Sequence, residues 1–228
     1  FQDEQGTVMS LSEAAMAPPA DRKIFDHAWI YDGSEYALVH ASVPGARRDV
    51  LPWQGLWVKS NVAGRLVFAP PLARSAHLPQ EPVARRERGR TGEWTLQLVA
   101  GNGAQSDSYN FAGVTGEGRA QALTGLESPP RALGQQIDLY FTGQAGTGRY
   151  ATDFRSSSTP LPLAFDFVVE TDARNRAVSV RCPNLAELPK ELDVILEDVD
   201  AAGKRVYLRT ASGYSFNPGE TGTRRLRL

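Results

Sequence analysis

From residue 161 onward, hydrophobic side chains recur at every second position. Leu163, Phe165, Phe167 and Val169 alternate with Ala164, Asp166 and Val168, and Val178, Val180 and Cys182 with Ser179 and Arg181. Leu192, Val194 and Leu196 alternate with Asp193, Ile195 and Glu197, and Val206 and Leu208 with Arg205, Tyr207 and Arg209. Successive side chains of a strand point to opposite faces, so each stretch reads as a strand with one face buried. Turn residues at 172–175, 201–203 and 217–219 separate them, and Tyr214-Ser215-Phe216 and Arg225-Leu226-Arg227-Leu228 complete the set. Short alternating strands between turns are the pattern of an antiparallel sandwich. Helical periodicity is absent, with one turn at most between Leu185 and Leu192. The fold class is all-β.

The same texture extends upstream in pieces. Trp29-Ile30-Tyr31 runs into Asp32-Gly33, a hairpin turn signal, and out through Tyr36, Leu38 and His40. A dense aromatic stretch at 53–57 leads to Leu66-Val67-Phe68. Prolines 70, 71, 79 and 82 and arginines 85, 86, 88 and 90 then mark an exposed connector. Trp94, Leu96 and Leu98 resume the alternation, residues 101–135 are rich in Gly, Ser, Asn and Gln, and Ile137, Leu139 and Phe141 form another half-buried strand. The first twenty residues read as an extended arm, or as one helical turn seeded by Ser10, Ser12, Glu13 and Ala14-Ala15 and ended by Pro18-Pro19. This gives an arm (1–24), a small Trp-rich β region (25–82), a linker (83–92) and tandem antiparallel β-sandwich modules over 93–160 and 161–228.

Composition narrows the function classes. With 228 residues and a formal net charge of −1, the chain is an ordinary globular one of up to three small domains and lacks the basic excess of a nucleic-acid binder. No apolar run approaches the ~18–20 residues of a membrane-spanning helix. Residues 1–20 contain no basic and apolar regions of a signal peptide. Cys182 is the single cysteine, so neither an internal disulfide nor a cysteine metal site is expected; on its apolar strand face it reads as a small buried hydrophobe.

Residues 161–228 resemble the immunoglobulin- or fibronectin-III-like module near the C-termini of large secreted bacterial proteins. The likeness is carried by the strand from Leu163 to Val169, by Leu188-Pro189 before Leu192 to Asp198, by the hairpin into Arg205-Val206-Tyr207-Leu208-Arg209, and by the closing Tyr214-Ser215-Phe216 and Arg224 to Leu228. Trp53-Gln54-Gly55-Leu56-Trp57-Val58, Trp94 to Val99, Asn110 to Val114 and Leu139-Tyr140-Phe141 extend it upstream. The resemblance implies an accessory region of a secreted or cell-surface protein, with no catalytic residue to carry over.

Reactive constellations are sparse. His27, His40 and His77 are the possible imidazole bases, and no serine lies in a G-x-S-x-G elbow. Asp198, Asp200 and Gly203 echo a calcium loop, but Ala201, Ala202 and Lys204 fall where ligands belong, so a hairpin turn is expected. Asp107, Asn110 and Glu117 form an irregularly spaced cation candidate, and no two of Glu93, Asp138, Asp153 and Asp166 can be placed across a cleft from sequence. The glycine loop over 143–148 lacks the lysine of a phosphate cradle. No catalytic residue, metal site or cofactor is expected.

Aromatic residues are the remaining signal. Trp29 and Tyr31 share a hairpin, and Trp53 and Trp57, four apart, would share one strand face; these four are either core, a partner surface or a platform for sugar rings. The reading is a non-catalytic extracellular interaction module acting by protein–protein contact. Self-assembly by strand addition is expected through the N-terminal arm and along Arg225, Leu226, Arg227 and Leu228, unless Arg225 and Arg227 serve as edge-protecting charges. The alternative is a carbohydrate-binding accessory module of a secreted enzyme.

Overall fold

The computed structural model describes residues 1–16, 21–68, 92–131, 137–143 and 146–228. The connector at 83–92 lies, apart from Gly92, outside the described residues, as do His77, Pro18 and Pro19.

Two five-stranded sheets face each other. One is ordered β13-β12-β15-β10-β8, from β13 (Lys204–Tyr207), β12 (Ile195–Asp198), β15 (Thr223–Arg227), β10 (Asp166–Thr171) and β8 (Ile137–Phe141). The other is ordered β14-β11-β6-β7-β9, from β14 (Tyr214–Phe216), β11 (Val178–Arg181), β6 (Trp94–Gly101), β7 (Ser106–Thr115) and β9 (Thr152–Ser156). Pairing within both is antiparallel except between β7 and β9. The inward residues of each make the main core, including Leu96, Leu98, Leu139, Phe141, Phe165, Phe167, Val180, Leu196 and Leu226. Burying such side chains contributes about 1.5–3 kcal/mol each, which is why the alternation dictates this architecture.

Strands from 93–160 and 161–228 interleave in both sheets: β8 pairs with β10, and β6 with β11. The boundary drawn at 160/161 therefore separates no two units; the two stretches complete one sandwich. The strand-addition edge also needs correction. β15 lies between β10 and β12, Leu226 is paired with Phe167 on one side and Asp198 on the other, and Leu228 exchanges backbone hydrogen bonds with Phe165. Leu226 and Arg227 are interior to the sheet and offer no open backbone.

A smaller layer covers the outer face of β7 and β9. Its sheet is ordered β3-β2-β4, from β2 (Ile24–Tyr31), β3 (Tyr36–Val39) and β4 (Leu56–Ser60). The hairpin at Asp32-Gly33 is present: Gly33 has φ 102°, and Asp32 Oδ1 accepts the N–H groups of Ser34 and Glu35. Helix α2 (Glu117–Leu123), which the polar 101–135 stretch gave no hint of, turns Ala120 and Leu123 into a second core with Trp29, Leu38, Phe111 and Phe154. A 3-10 turn at Leu185–Glu187 is the single turn expected there.

The N-terminal segment is docked rather than free. β1 (Gln2–Asp3) pairs with β5 (Gly64–Arg65), and Phe1 packs with Ala14, Ala15 and Ile24. Helix α1 (Leu11–Met16) begins with a capping box: Glu13 N–H donates to Ser10 Oγ at 3.1 Å, and Ser10 N–H to Glu13 Oε2 at 2.7 Å.

Candidate functional site

A polar cleft of about 110 Å³ opens where the β2–β3 hairpin meets the side of the sandwich. Three elements build it. The hairpin supplies Tyr31, Glu35 and Tyr36, the start of β7 supplies Ser106, Asp107 and Asn110, and the edge strand β8 supplies Asp138 and Tyr140, with Arg149 beside them.

Asp107 forms the floor. Its Oδ2 accepts the backbone N–H of Leu139 at 2.7 Å, and its Oδ1 accepts the side-chain amide of Asn110 at 2.8 Å. An edge strand has unpaired N–H groups, and Asp107 reaches from one sandwich sheet to close one on the other. Burial pushes its carboxyl up to about 7; the Leu139 N–H opposes this, and the charges of Asp138 and Glu35 add to it. Asp138, pushed up by burial, is opposed by Arg131 at 2.9 Å and Arg149 at 3.4 Å. Arg149 also donates to Glu170 Oε2 at 2.6 Å and lies 3.8 Å over the Tyr140 ring. Glu35 Oε2 accepts the Ser106 hydroxyl at 3.0 Å. On the hairpin side the rings of Tyr31 and Tyr36 stand 5.0 Å apart.

The four candidate platform residues separate. Trp29 is 5% exposed and sits in the second core, its indole N–H donating to the Glu127 carbonyl at 3.1 Å. Trp57 lies directly opposite Trp29 across β2–β4, and Tyr31 follows two residues on, so these three share one face of the sheet. Tyr31 is 41% and Trp57 54% exposed. Trp53 precedes β4 in a turn, at φ 68°, and is fully exposed; the shared strand face with Trp57 is not formed.

The other candidates are committed elsewhere. His40 Nδ1 accepts the N–H groups of Ser42 and Val43, both at 3.0 Å, which leaves its Nε2 proton for Asp26 at 3.4 Å. That imidazole organises a loop. Asp198 is fully buried, bonded to Tyr214 at 2.6 Å and Arg224 at 2.9 Å, while Asp200 holds Arg225; the hairpin turn accounts for the calcium-like spacing. Glu93 accepts Gly116 N–H, Asp153 pairs with Arg155, and Asp166 with Arg227. Asp107 and Asn110 are brought together, but Glu117 lies beyond the far end of β7. Cys182 packs against the main core, and burial pushes its thiol up to about 12. Among the described residues no group of three His, Cys, Asp or Glu side chains is placed to hold a metal ion, and no helix is long and apolar enough to cross a membrane.

No family model, curated protein or solved structure matches the chain. The cleft is therefore read from its own chemistry. Glu35, Tyr140 and Arg149 were invisible as site residues in the sequence; Tyr31, Asp138 and the Asp107–Asn110 spacing each gave a local signal, but none of them announces a shared cleft by itself.

Proposed function

We propose that the chain is a non-catalytic binding module that holds a carbohydrate in this cleft. The supporting observation is the convergence of the half-exposed Tyr31–Tyr36 pair with a floor of carboxylate, amide, hydroxyl and guanidinium groups. Ring faces stack on the apolar side of a pyranose while such groups take its hydroxyls. A binding role fits better than a hydrolytic one because Asp107 and Asp138 are held by Leu139, Asn110, Arg131 and Arg149. The resemblance to secreted sandwich modules supports a place outside the cytoplasm. Affinity electrophoresis through immobilised polysaccharides tests the reading: Tyr31→Ala should abolish retardation while leaving the circular dichroism unchanged. A wild type that no polysaccharide retards would refute it.

A second reading, contact with a protein or with another copy of the chain, is favoured by the turn that holds Trp53 outward beside exposed Val50 and Leu51. Sedimentation at rising concentration should show self-association that Trp53→Ala removes; a monomer throughout would retire self-assembly.

A further inference from the structure

Charge in the cleft is unevenly balanced. Asp138 has Arg131 and Arg149 beside it, and Arg149 is shared with Glu170. Glu35 and Asp107 have no such counterpart. The hydrogen bonds of Asp107 come from a backbone N–H and a neutral amide, that of Glu35 from a hydroxyl, and among the described residues neither carboxylate forms an ion pair. Two further features belong to the same cavity. Tyr31 and Tyr36 present electron-rich rings, which attract cations. Ser128 also lines it, and its hydroxyl oxygen is buried with no hydrogen-bond partner among the described residues. A buried hydroxyl left unpaired is costly, so it favours a polar occupant.

Resting on the carbohydrate reading above, we infer that the occupant is an amino sugar whose protonated, unacetylated amine enters the cleft. An ammonium has three N–H donors and no acceptor, so it can donate to the carboxylate oxygens of Glu35 and Asp107 and to the Ser128 hydroxyl oxygen, while a hydroxyl of the sugar can accept from Ser128. It supplies the positive charge that Glu35 and Asp107 lack. Size points the same way: at about 110 Å³ the cavity is smaller than the ~150 Å³ void that holds a benzene ring. A whole pyranose does not fit inside; the ring rests at the mouth against Tyr31 and sends its amine inward. The raised carboxyl of Asp107 is the behaviour of a buried acid without a cation: it holds its proton up to about 7, and a bound ammonium would displace that proton and restore the group towards the ordinary range.

Calorimetric titration of the intact chain at pH 6.5 tests this with four probes: a glucosamine tetrasaccharide, its fully N-acetylated counterpart, the glucose tetrasaccharide of the same linkage, and n-butylammonium. The expected result is that the glucosamine oligomer binds at least about tenfold more tightly than the other three, the loss of one charge-assisted hydrogen bond being about 1.5–3 kcal/mol. Glu35→Gln, which keeps the acceptor for Ser106 and removes the charge, should bring its affinity down to that of the neutral oligomers. Asp107→Asn should act in the same direction, and Glu35, in a hairpin turn, keeps the test alive where the Asp107 variant fails to fold. Equal binding of charged and neutral oligomers overturns the amine while leaving the carbohydrate reading intact. Binding of n-butylammonium as tightly as the glucosamine oligomer overturns the carbohydrate and leaves the ammonium. Binding of none overturns both.

Discussion

Asp107 on β7 accepts the backbone N–H of Leu139 on β8 at 2.7 Å, a side chain of one sandwich sheet closing the open edge of the other. The bond positions the cleft and also contributes to stability. Asp107→Ala leaves the Leu139 N–H and the Asn110 amide without their partner, and the urea midpoint should fall by the equivalent of about 1–3 kcal/mol. Asp107→Asn retains an acceptor oxygen and should lose less. Equal stability of the alanine variant and the wild type would show that water replaces the carboxylate.

The same residue sets a pH dependence. Its carboxyl is raised from 3.8 to about 7, so between those values the native state keeps a proton that the unfolded chain has released. More protons on the native state mean that stability falls as pH rises through this window and levels off above it. Asp26 has the opposite sign: His27 and His40 hold its carboxyl far below the ordinary range, so its contribution is present above pH 3.8 and is lost as pH falls. Urea midpoints from pH 3 to 8 should show the downward limb between pH 4 and 7 in the wild type and a flatter one in Asp107→Asn. Superimposable curves would deny the shift.

Trp29 and Trp53 should respond oppositely to truncation. Trp29→Ala removes an indole from the second core together with its bond to Glu127, and a loss of about 3–5 kcal/mol is expected. Trp53→Ala touches an exposed side chain and should stay within about 0.5 kcal/mol of the wild type, or gain slightly by removing a bulky residue from a left-handed conformation. Thermal melts of the two variants side by side check both.

Gly113 on β7 has no room for a side chain. A Cβ there would stand 2.5 Å from the Trp94 carbonyl and 2.7 Å from the Phe154 ring. Gly113→Ala should therefore cost about 1–3 kcal/mol by forcing strand or ring aside. Combining it with Phe154→Leu should recover part of the loss if the ring is what gives way.

The parts of the fold that were legible share one property: a single buried face. β8, buried at Ile137, Leu139 and Phe141 and half-buried between, could be read directly from its alternation. β7 could not, because from Asn110 to Thr115 every residue is buried, the main core on one side and α2 with the hairpin layer on the other. A strand covered on both faces loses its period. Helix α2 is too short for a periodic signal and is held by Ala120 and Leu123 against its neighbours. The cleft was hidden for another reason: Asp107 and Leu139 are 32 residues apart, and Glu35 and Ser106 are 71. Local pattern indicates that a strand exists, whereas partner and register come from tertiary packing. That is also why β15 passed for an edge.

The insertion of β15 between β10 and β12 carries a consequence for biosynthesis. Until residues 223–227 have left the ribosome, β10 and β12 have a gap between them and the hydrophobic interior lacks Leu226. Until then a nascent chain of this topology remains open, with apolar strands available to chaperones and to neighbouring chains.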